Sequence, residues 1–600
     1  MLTQMRHRGP DSAVQYADGP FQAGMCRLAI NGLASGEQPL FSEDGQAALL
    51  YNGEIYNSPA LRAGLERQGV RLRTQSDGEV IAHLYARHGL EAFAMLDGMF
   101  ACALWDRRRQ RLVLARDIPG EKPLHYAPLP GGALAFASEV KALCLLPGFS
   151  PSLDPQALWD YPTFLWIPEP GTTYREIKAL ARGHVLVWEK GQLRQSAIAN
   201  RFGPAGYPKT HGERVELVRQ VVTEATHSRL LSEVPVGSFL SGGLDSSIIA
   251  TLASRRLSSL TTLTVAFEDV ADPYHGTADE SPYARFLAER LGTRHVEIRV
   301  DEAAFRNSLD EFVRHADQPF AVSSGLGILA VARKARELGI KVLLSGDCAD
   351  ECFGGYSWYR YLPLKGRAPY AQDPGGLSLQ HVGSPLRKIL ADLRSRPAAH
   401  RAWAWHYYAS EADKQRLFHP DVAAQAASSL RHFEAHDPAP EWSPEQFIRQ
   451  DREFYMPFEM LRKVDRLTMA HSVEGRPPFA APSVLGLADL MPFRDMVRGR
   501  NLKCLLREAF ADALPPEIAR RPKHGFNVPV DHWLRGAWRP MLDQTFGPDS
   551  ALARHGLIHA GSAREARAML DDPGRLCGHT LLCFILLNRW IENNHDGTHC

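Results

Sequence analysis

The sequence lacks the features that would place it in a membrane, in a secretory route or on nucleic acid. Its longest apolar run, LLCFILL at 581–587, is far shorter than the ~20 apolar residues that a membrane-spanning helix needs. The first residues, MLTQMRHRGPD, contain no apolar stretch that could form the core of a signal peptide. A net charge of +1 leaves no excess of Lys and Arg to neutralise phosphate groups. We therefore expect small-molecule partners, and neither a nucleic acid nor a membrane.

Cysteine is also scarce and unpatterned. The nine cysteines are an odd and scattered set, which indicates a reducing compartment and no disulfide framework. We therefore expect a cytoplasmic protein. A chain of 600 residues is too long for one hydrophobic core, so two or more domains are expected. The composition, 44% hydrophobic and 23% charged, is typical of a globular protein.

The most informative stretch is VPVGSFLSGGLDSSIIA at 234–250. It predicts a buried strand from Val234 to Leu240, a turn of small residues, and a helix that begins near Leu244. Glycines let the backbone approach a ligand closely, and the free N–H groups of a helix start bind anions. Asp245 then places a carboxylate where a magnesium ion bridging phosphates would take an oxygen ligand. The stretch does not have the Walker pattern of phosphate-binding loops, and the alternative is an ordinary strand–turn–helix corner.

The segments after this stretch alternate between apolar strands and helices. LTTLTVAF, HVEIRV and KVLLSG have the pattern of buried strands, and SIIATLASRR, YARFLAERLG and ILAVARKARELG that of helices. Such alternation is typical of a parallel sheet with crossover helices. Ligands of open α/β sheets lie beyond the carboxyl ends of the strands. Those ends are SFLSGG, TVAF and LLSG, so the site is expected there.

The first 195 residues have a different pattern. AALLYNGEIYN, RLVLARD, GALAFASE and HVLVWEKGQL predict strands that end in loops. Between them, SPALRAGLERQG and GEVIAHLYARHGLEAFAML have the apolar spacing of helices. This mixture predicts an α+β layered domain.

Eight motifs of this region occur in the order, and at close to the spacing, of one known family: HRGPD (7–11), RLAI (27–30), QPL (38–40), YNGEIYN (51–57), SDGEV (76–80), LDGMFACALWD (96–106), RDIPGEKPLHY (116–126) and ASEVKAL (137–143). They resemble the glutaminase domain of glutamine-hydrolysing asparagine synthetases. The resemblance implies an N-terminal-nucleophile fold, with two sheets between helical layers.

The same resemblance assigns the glutamine site. It implies that Arg27 holds the carboxylate of glutamine and that Asp77 holds its ammonium group. It also implies that Asn52 and Gly53 form the oxyanion hole, with Glu54 of the same motif among the glutamine-binding residues. A planar guanidinium suits a carboxylate, and fixed amide donors suit a developing oxyanion.

The family's catalytic cysteine has no counterpart in this sequence. In the family it follows the initiator methionine and its own amine helps to activate the thiol, whereas here Leu2 follows Met1. Cys26 has no free α-amine, and we expect it to be a packing residue. Either the gene product starts further upstream, which would truncate the sandwich at its start, or glutamine hydrolysis has been lost. The retained glutamine-binding residues favour the first explanation.

The second region also resembles this family, in its ATP-pyrophosphatase domain. SGGLDS resembles the pyrophosphate loop, and LLSGDCADECFGGY at 343–356 resembles a second nucleotide loop. The resemblance implies that ATP and Mg²⁺ bind, and it assigns twelve residues to ATP and pyrophosphate: Leu240, Ser241, Gly242, Gly243, Asp245, Ser246, Ser247, Val265, Ser345, Gly346, Lys503 and Lys523. Leu240 and Val265 would frame the adenine with their backbone.

Four side chains receive particular roles from the resemblance. Asp245 and Asp350 would hold magnesium, which commonly takes one or two carboxylates from protein. Asp347 is a candidate to relay the proton from incoming ammonia. Lys523 would stabilise the charge that builds on the α-phosphate and the leaving pyrophosphate. The catalytic roles therefore fall to Asp347 and Lys523.

The resemblance continues to the C-terminal part, with departures near the acceptor end. The segment 451–479 is expected to be a long helical region that resembles the family's helix pair, with Lys463, Asp465, Met469, Glu474 and Arg476 in register. The departures from the family pattern are Cys348 for a glycine, Gly475 for an aliphatic residue and Ala480-Ala481 for Leu-Asp. These three places put the choice of acceptor in doubt.

The expected domains are a glutaminase domain at 1–195, a linker at 196–215, a synthetase domain at 216–593 and a disordered tail at 594–600. The resemblance implies an enzyme that adenylates a carboxylate, by default that of L-aspartate, and amidates it with ammonia from glutamine. Alternatives are an ammonia-dependent or glutaminase-dead homologue that amidates another carboxylate, and a β-lactam synthetase or peptide cyclase. A non-catalytic nucleotide-binding paralogue is a further alternative, and a homodimer stays open.

Overall fold

The computed structural model describes residues 1–267, 271–272, 276–277, 279–365, 408–432, 443–521, 528–572 and 577–596. No helix within these ranges is long and apolar enough to cross a membrane. The predicted buried segment at 581–587 lies inside a helix, Gly578–Trp590, whose apolar side chains are almost all inaccessible to solvent. A first, α+β part is followed by an α/β part, as the two sequence patterns predicted.

The first domain is built on an antiparallel sheet. The strands of this domain are β1 Ser12–Asp18, β2 Phe21–Arg27, β3 Leu40–Phe41, β4 Ala47–Ile55, β5 Gly98–Asp106, β6 Arg111–Arg116, β7 His125–Pro128, β8 Leu134–Ala137, β9 Lys178–Ala179, β10 His184–Glu189 and β11 Gln192–Ala197. Six of them form one sheet in the order β11-β10-β6-β5-β4-β3. The hairpin β1–β2 and a small sheet, β8-β7-β9, are separate from it.

Alternation along β4 explains how this sheet forms two cores. Successive side chains of a strand point to opposite faces. Leu49 and Tyr51 pack with the helices Ser58–Arg67 and Glu79–His88 on one face. Leu50, together with Ala48, packs on the other face with residues of the hairpin and of the small sheet. The result is a layered domain with helices on one side of the main sheet and further strands on the other.

The second domain is organised around a parallel sheet. Its strands are β12 Val236–Phe239, β13 Thr261–Phe267, β14 Ala271–Asp272, β15 Gly276–Thr277, β16 Arg294–Val300, β17 Val342–Leu344 and β18 Glu474–Arg476. Five of them run parallel in the order β16-β13-β12-β17-β18, and β14 and β15 form a small ribbon. The predicted parallel sheet is therefore present, with β12 in its middle.

Helices complete both domains. The α-helices are Leu2–Met5, Ser58–Arg67, Glu79–His88, Val140–Leu143, Pro155–Phe164, His211–Ser228, Leu244–Ser254, Ser281–Leu291, Glu302–Asn307, Leu309–Ala316, Gly325–Glu337, Ala349–Phe353, Leu362–Lys365, Glu411–Leu417, Pro420–Ala424, Pro444–Gln450, Arg462–Met469, Pro482–Leu490, Phe493–Met496, Cys504–Ala509, Pro516–Ala519, Val530–Arg535, Arg539–Thr545, Ala551–Arg554, Ser562–Asp571 and Gly578–Trp590. Two π-helical segments are Asp451–Leu461 and Ile591–Asp596, and the 3₁₀ segments are Gly89–Met95, Pro130–Gly132, Ser357–Tyr361 and Pro478–Ala480.

Buried charges join the two domains. Arg476 on β18 has no solvent exposure and lies 3.1 Å from Oε2 of Glu54 on β4. Asp465 accepts hydrogen bonds from Arg8 at 3.0 Å and from Lys122 at 3.3 Å. All three side chains are buried. Removal of one partner from such a group would leave a buried charge without compensation. The interface is therefore held by specific ion pairs as well as by apolar packing.

Two sequence expectations require correction, the helix over 474–476 and the disorder from residue 594, and the linker bounds stay a prediction. The segment 474–476 is the edge strand β18 and not part of a helix, because its backbone pairs with β17. The expected linker at 196–215 includes the end of β11 and the start of helix His211–Ser228, and Asn200 donates to the Pro482 carbonyl at 2.8 Å. Residues 594–596 are helical, and the remaining four residues of the expected tail lie outside the described ranges.

Candidate active sites

The glycine turn predicted at 241–243 follows β12 and leads into helix Leu244–Ser254, as expected. Gly242 has φ +71°, and a Cβ at this position would lie 2.5 Å from Cβ of Tyr283. Only glycine fits this close approach between the turn and helix Ser281–Leu291. Ser241 and Ser246 join their hydroxyls at 3.0 Å, which closes the turn. The turn is therefore a compact small-residue connection at the start of a helix that no side chain caps, and helix starts of this kind can bind an anion.

Two carboxylates converge on one lysine beside this turn. Lys503 Nζ lies 2.6 Å from Oδ2 of Asp245 and 2.7 Å from Oδ1 of Asp350. The lysine is 3% exposed and adopts φ +54°, so the fold holds it in an uncommon conformation. Oδ1 of Asp245 is buried and, among the described residues, has no hydrogen-bond partner. The predicted pair of acidic residues is thus brought together, around a cation that the protein itself supplies.

The second predicted loop packs directly on the helix start. Gly346 approaches so closely that a Cβ would lie 2.6 Å from the Ser246 nitrogen. Ser345 donates its N–H to the Arg476 carbonyl at 3.0 Å, and its hydroxyl is buried without a partner among the described residues. Asp347 is partly exposed, with Oδ1 4.0 Å from Nζ of buried Lys463. The loop therefore places Ser345 and Asp347 next to the glycine turn.

Cys348 of this loop has φ +74°, in the left-handed region that favours glycine. We expect Cys348→Gly to raise the free energy of unfolding by about 1 kcal/mol relative to Cys348→Ala, because only glycine removes the Cβ strain. Both variants delete the buried thiol, so their difference isolates the backbone effect. Urea unfolding of the pair measures it, and a Cys348→Gly protein that is less stable than Cys348→Ala would contradict the expectation.

The remaining predicted nucleotide residues divide into three groups. Leu240 directly follows β12 and Val265 lies on the neighbouring strand β13, and the Leu240 N–H donates to the Leu263 carbonyl at 2.9 Å. Ser247, like Asp245, has a buried side-chain oxygen without a hydrogen-bond partner among the described residues. Lys523 lies outside the described residues, so its predicted role stays a prediction.

Two of the departures from the family pattern have packing explanations. A Cβ on Gly475 would lie 2.4 Å from Cγ1 of Val464, so the edge strand approaches helix Arg462–Met469 too closely for a side chain. Ala480 and Ala481 are fully buried at the start of helix Pro482–Leu490. These positions are constrained by close packing, and their effect on substrate choice stays a prediction.

The predicted glutamine-binding residues surround a cavity of about 1090 Å³ in the first domain. Arg27, Asn52, Gly53, Glu54 and Asp77 all line it. The side-chain amide nitrogen of Asn52 is buried and has no hydrogen-bond partner among the described residues, as an oxyanion donor awaiting a ligand would be. Gly53 has φ +149°, and a Cβ there would lie 2.0 Å from the Met99 carbonyl oxygen.

Of the charged groups of this cavity, Asp77 is buried and Arg27 is half-buried. Asp77 accepts hydrogen bonds from the Tyr51 hydroxyl at 2.5 Å and the Ile55 N–H at 2.7 Å. Burial raises the pKa of Asp77, which a bound ammonium group would oppose. The Arg27 guanidinium donates to the carbonyls of Asn31 and Gly32 at 3.0 and 2.8 Å. The wall of the cavity thus carries a carboxyl group and a guanidinium group, and their roles in glutamine binding stay a prediction.

Glu54 differs from the other predicted glutamine-binding residues. Its two carboxylate oxygens contact the side-chain amide of Asn31 and the guanidinium of Arg476. Burial and the neighbouring charge of Asp77 raise the pKa of Glu54, and the guanidinium of Arg476 opposes this rise and favours the ionised carboxylate. The carboxylate therefore serves the interface between the domains, and its assignment to glutamine binding stays a prediction. The sequence carries no local signal for the Arg476 contact, because 422 residues separate the partners.

Two cysteines line this cavity, Cys26 and Cys102, and neither has the lowered pKa of an activated nucleophile, because burial raises the pKa of both thiols. Cys26 lies on β2 and donates from Sγ to the Leu2 carbonyl at 3.4 Å. Burial raises the pKa of the Cys26 thiol, whereas a nucleophilic cysteine needs a lowered one. Packing, as predicted, is the role that this geometry supports.

Glu351, beside Asp350, is fully buried, and its carboxyl group should make the stability of the protein depend on pH. Burial and the charge of Asp350 raise its pKa to about 8, although the Tyr356 hydroxyl donates to it at 2.6 Å. The folded protein therefore binds this proton more tightly than the unfolded chain, and stability falls as the pH rises through about 8. Glu351→Gln removes the titration, so the variant should lose less stability than the native protein between pH 5.5 and 8.5.

The expected difference is at most about 1.4 kcal/mol for each pH unit in that window. Urea unfolding at both pH values measures it. Glu517 lies on the exposed surface, so Glu517→Gln is the matched control. Its free energy of unfolding should change with pH as that of the native protein does. If the free energy of unfolding changes with pH by the same amount in Glu351→Gln and in the native protein, Glu351 does not carry a raised pKa.

One further group has the composition of a metal site among the described residues. His555, His595 and Asp596 have ligand atoms within 4.8 Å of one another. Asp596 is already neutralised there, because Arg554 lies 3.2 Å from one carboxylate oxygen and His555 lies 2.8 Å from the other. The group is an ion-pair cluster at the surface.

The fold and the sites together define a two-domain protein in which an α+β domain with a large cavity packs on a parallel α/β sheet with a glycine turn. The family described as Asparagine synthase matches residues 217–590, and the Glutamine amidotransferase domain matches residues 1–198. The chain belongs to the asparagine synthase family, which confirms the resemblance drawn from its motifs.

Known relatives agree with this assignment. A putative asparagine synthetase (glutamine-hydrolyzing) of Mycobacterium bovis is 35% identical over 562 residues, which cover 88% of this chain and 84% of the relative. Asparagine synthetase (glutamine-hydrolyzing) 1 of Bacillus subtilis is 32% identical over 544 residues, with 88% and 83% covered. Among solved structures, the allosteric regulatory enzyme of purine biosynthesis is 17% identical over 50% of this chain and 76% of its own, with a TM-score of 0.26, too low to support an argument.

Proposed function

We propose that the protein is a ligase that makes asparagine from aspartate and ATP, with nitrogen taken from glutamine, and that it releases AMP, pyrophosphate and glutamate. The observation that carries the proposal is the convergence of Asp245 and Asp350 on Lys503, at 2.6 and 2.7 Å, beside the glycine turn. A carboxylate is a poor electrophile until one oxygen becomes a leaving group. Adenylation by ATP provides that leaving group, and the turn offers N–H groups to the departing pyrophosphate.

The two acidic residues fit a magnesium ion. Mg²⁺ takes carboxylate oxygens and usually keeps several waters, and Asp245 has a buried carboxylate oxygen with no hydrogen-bond partner among the described residues. When bound, the ion would neutralise charge on the phosphates of ATP. Asp245 and Asp350 would hold it, and Lys503 would turn its ammonium group from the two carboxylates towards phosphate oxygens.

The acceptor end of the site is defined by Asp347 and Lys463. The carboxylate of Asp347 lies partly exposed beside the nucleotide loop, where it can accept a proton from ammonia as the amide forms. Lys463 Nζ lies 3.4 Å from the Ser324 hydroxyl and presents a positive charge to an acidic acceptor. This charge suits the second carboxylate of aspartate better than a neutral substrate.

The glutamine end is the cavity of the first domain. Arg27 and Asp77 present opposite charges there, and the Asn52 amide is available as a hydrogen-bond donor to a reacting carbonyl.

The eight described cysteines are free thiols, which supports the proposal of a cytoplasmic enzyme with no disulfide framework.

The test is pyrophosphate release from Mg-ATP, measured with aspartate and either ammonium or glutamine as nitrogen donor. Aspartate-dependent release with ammonium is the expected result for the second domain, and release with glutamine tests the first domain separately. Asp245→Asn serves as the inactive control. Absence of aspartate-dependent release with both donors would exclude aspartate as the acceptor and favour another carboxylate.

A further inference from the structure

Arg521 makes three contacts around the glycine turn of the synthetase domain. Its NH1 donates to the Gly242 carbonyl at 3.2 Å, and its NH2 lies 2.7 Å from Oε1 of Glu280. The guanidinium carbon sits 3.8 Å from the ring centroid of Tyr283. The side chain is 9% exposed, so these contacts are largely shielded from water.

The backbone of Arg521 is fixed as firmly as its side chain. Its carbonyl accepts a hydrogen bond from NH2 of Arg507 at 3.1 Å, and its N–H donates to the Ile518 carbonyl at 3.2 Å. Both chain partners belong to elements that follow Lys503 in sequence. Arg521 therefore connects the C-terminal helices to the turn in a fixed position. A flexible arginine on the surface would not form such a connection.

The contact with Gly242 bears on anion binding by the turn. In a trans peptide the carbonyl and the following N–H point in opposite directions, so a cation on the Gly242 oxygen directs the Gly243 N–H away from Arg521. The same charge polarises the peptide and strengthens its N–H as a donor. In this structure the Gly243 N–H donates to the Ser241 hydroxyl at 3.3 Å, a weak bond that an anion can replace.

Tyr283 and Glu280 make the arrangement specific for arginine. The space above Gly242 is filled by Tyr283, which is why a Cβ on the glycine has no room. Arginine can stack on a tyrosine ring, pair with a carboxylate and donate to a carbonyl at once, because its donors form a planar fork. A lysine ammonium can satisfy only part of this set.

We propose that Arg521 is a positioning residue for the pyrophosphate turn. It fixes the Gly242–Gly243 peptide in the orientation that presents an N–H to a pyrophosphate group, and it ties the turn to helix Ser281–Leu291. Arg521 itself stays on the outer side of the turn and does not contact the phosphates. The inference rests on the proposed function for the identity of the anion, ATP or its pyrophosphate product.

The test measures binding of inorganic pyrophosphate with magnesium, by calorimetry, to the full chain and to Arg521→Lys, Arg521→Gln and Arg520→Gln. Arg520 is the adjacent exposed arginine and serves as the matched control. We expect both Arg521 variants to raise the Kd at least tenfold, with a parallel rise in KM for ATP and a smaller change in kcat. Arg520→Gln should bind as the native protein does.

A second variant guards against loss of folding. Glu280→Gln keeps Arg521 but removes the carboxylate that pairs with its guanidinium. This variant should also raise the Kd for pyrophosphate, by a smaller factor than the Arg521 variants do. Urea unfolding of all variants separates a change of the site from a change of global stability. Native affinity in Arg521→Lys and Arg521→Gln would overturn the inference.

The same experiment distinguishes this inference from the proposed function. Pyrophosphate binding that depends on Arg521, together with no aspartate-dependent turnover, would support the role of Arg521 and reject the proposed acceptor. Aspartate-dependent turnover, together with pyrophosphate binding that the Arg521 substitutions leave unchanged, would support the proposed acceptor and reject the role of Arg521. Absence of pyrophosphate binding by the native protein would overturn the inference about the turn, whereas the proposed function would still be decided by aspartate-dependent turnover.

Discussion

Asp350→Asn is expected to lower aspartate-dependent pyrophosphate release by about a hundredfold to a thousandfold, the scale found when one preorganised electrostatic group is removed from a reacting centre. Asp350 and Asp245 both contact Nζ of Lys503, within 2.7 Å. A neutral amide is a weaker ligand for a hard cation than a carboxylate. The substitution also leaves the buried ammonium group with one anionic partner, so two requirements of the site fail together.

Steady-state release of pyrophosphate, measured over a range of magnesium concentrations, is the readout. Asp543→Asn is the matched control, because Asp543 is an exposed partner of Arg567 in the same domain and exposed pairs contribute little. Activity of Asp350→Asn within tenfold of the native value would remove Asp350 from the metal site. In that case the convergence on Lys503 would be a structural ion-pair triad only.

Arg476→Met is expected to reduce the free energy of unfolding by about 3–5 kcal/mol, the cost of breaking a buried ion pair from one side. Arg476 is fully buried, lies 3.1 Å from Glu54 and 2.9 Å from Glu474, and donates to the Leu231 carbonyl at 2.7 Å. Methionine fills part of the volume but leaves two carboxylates without a cation. Urea unfolding of the full chain measures the loss.

The contrasting control is Arg498→Met, since Arg498 pairs with Glu508 at 2.7 Å but is 41% exposed. Its expected cost is below about 1 kcal/mol. Adding Glu54→Gln to Arg476→Met should recover part of the loss, because the combination removes one uncompensated charge. Equal costs for Arg476→Met and Arg498→Met would show that water reaches the interface and screens the pair.

The features that could be predicted from sequence are those encoded within short segments. The apolar run before Ser241, the two glycines and the start of a helix near Leu244 are adjacent in the chain, and the structure contains the predicted turn. The family resemblance extended this to Asp350, whose motif lies about a hundred residues away. Periodicity likewise predicted the long strand β4 and the helix that follows it.

Features that depend on distant pairing could not be predicted in this way. The strand Glu474–Arg476 has three residues, too few to show a period of two. It pairs with β17 only because the fold brings the chain back to the sheet edge after the 129 residues at 345–473. The contact of Lys503 with Asp245 spans 258 positions. Local pattern carries no information on such pairs, so sequence reasoning assigned Lys503 to phosphate without foreseeing its two acidic partners.

The buried ion pairs between the domains have a consequence for fragments of the protein. The segment that connects β11 to helix His211–Ser228 contains no regular element, and it is the obvious place for a protease to cut. Cleavage there would not separate the halves, because each would expose charges, Glu54 on one side and Arg476 on the other, that lose their partners on dissociation. A nicked chain should therefore elute from a sizing column as a single particle, and only denaturant should release two pieces.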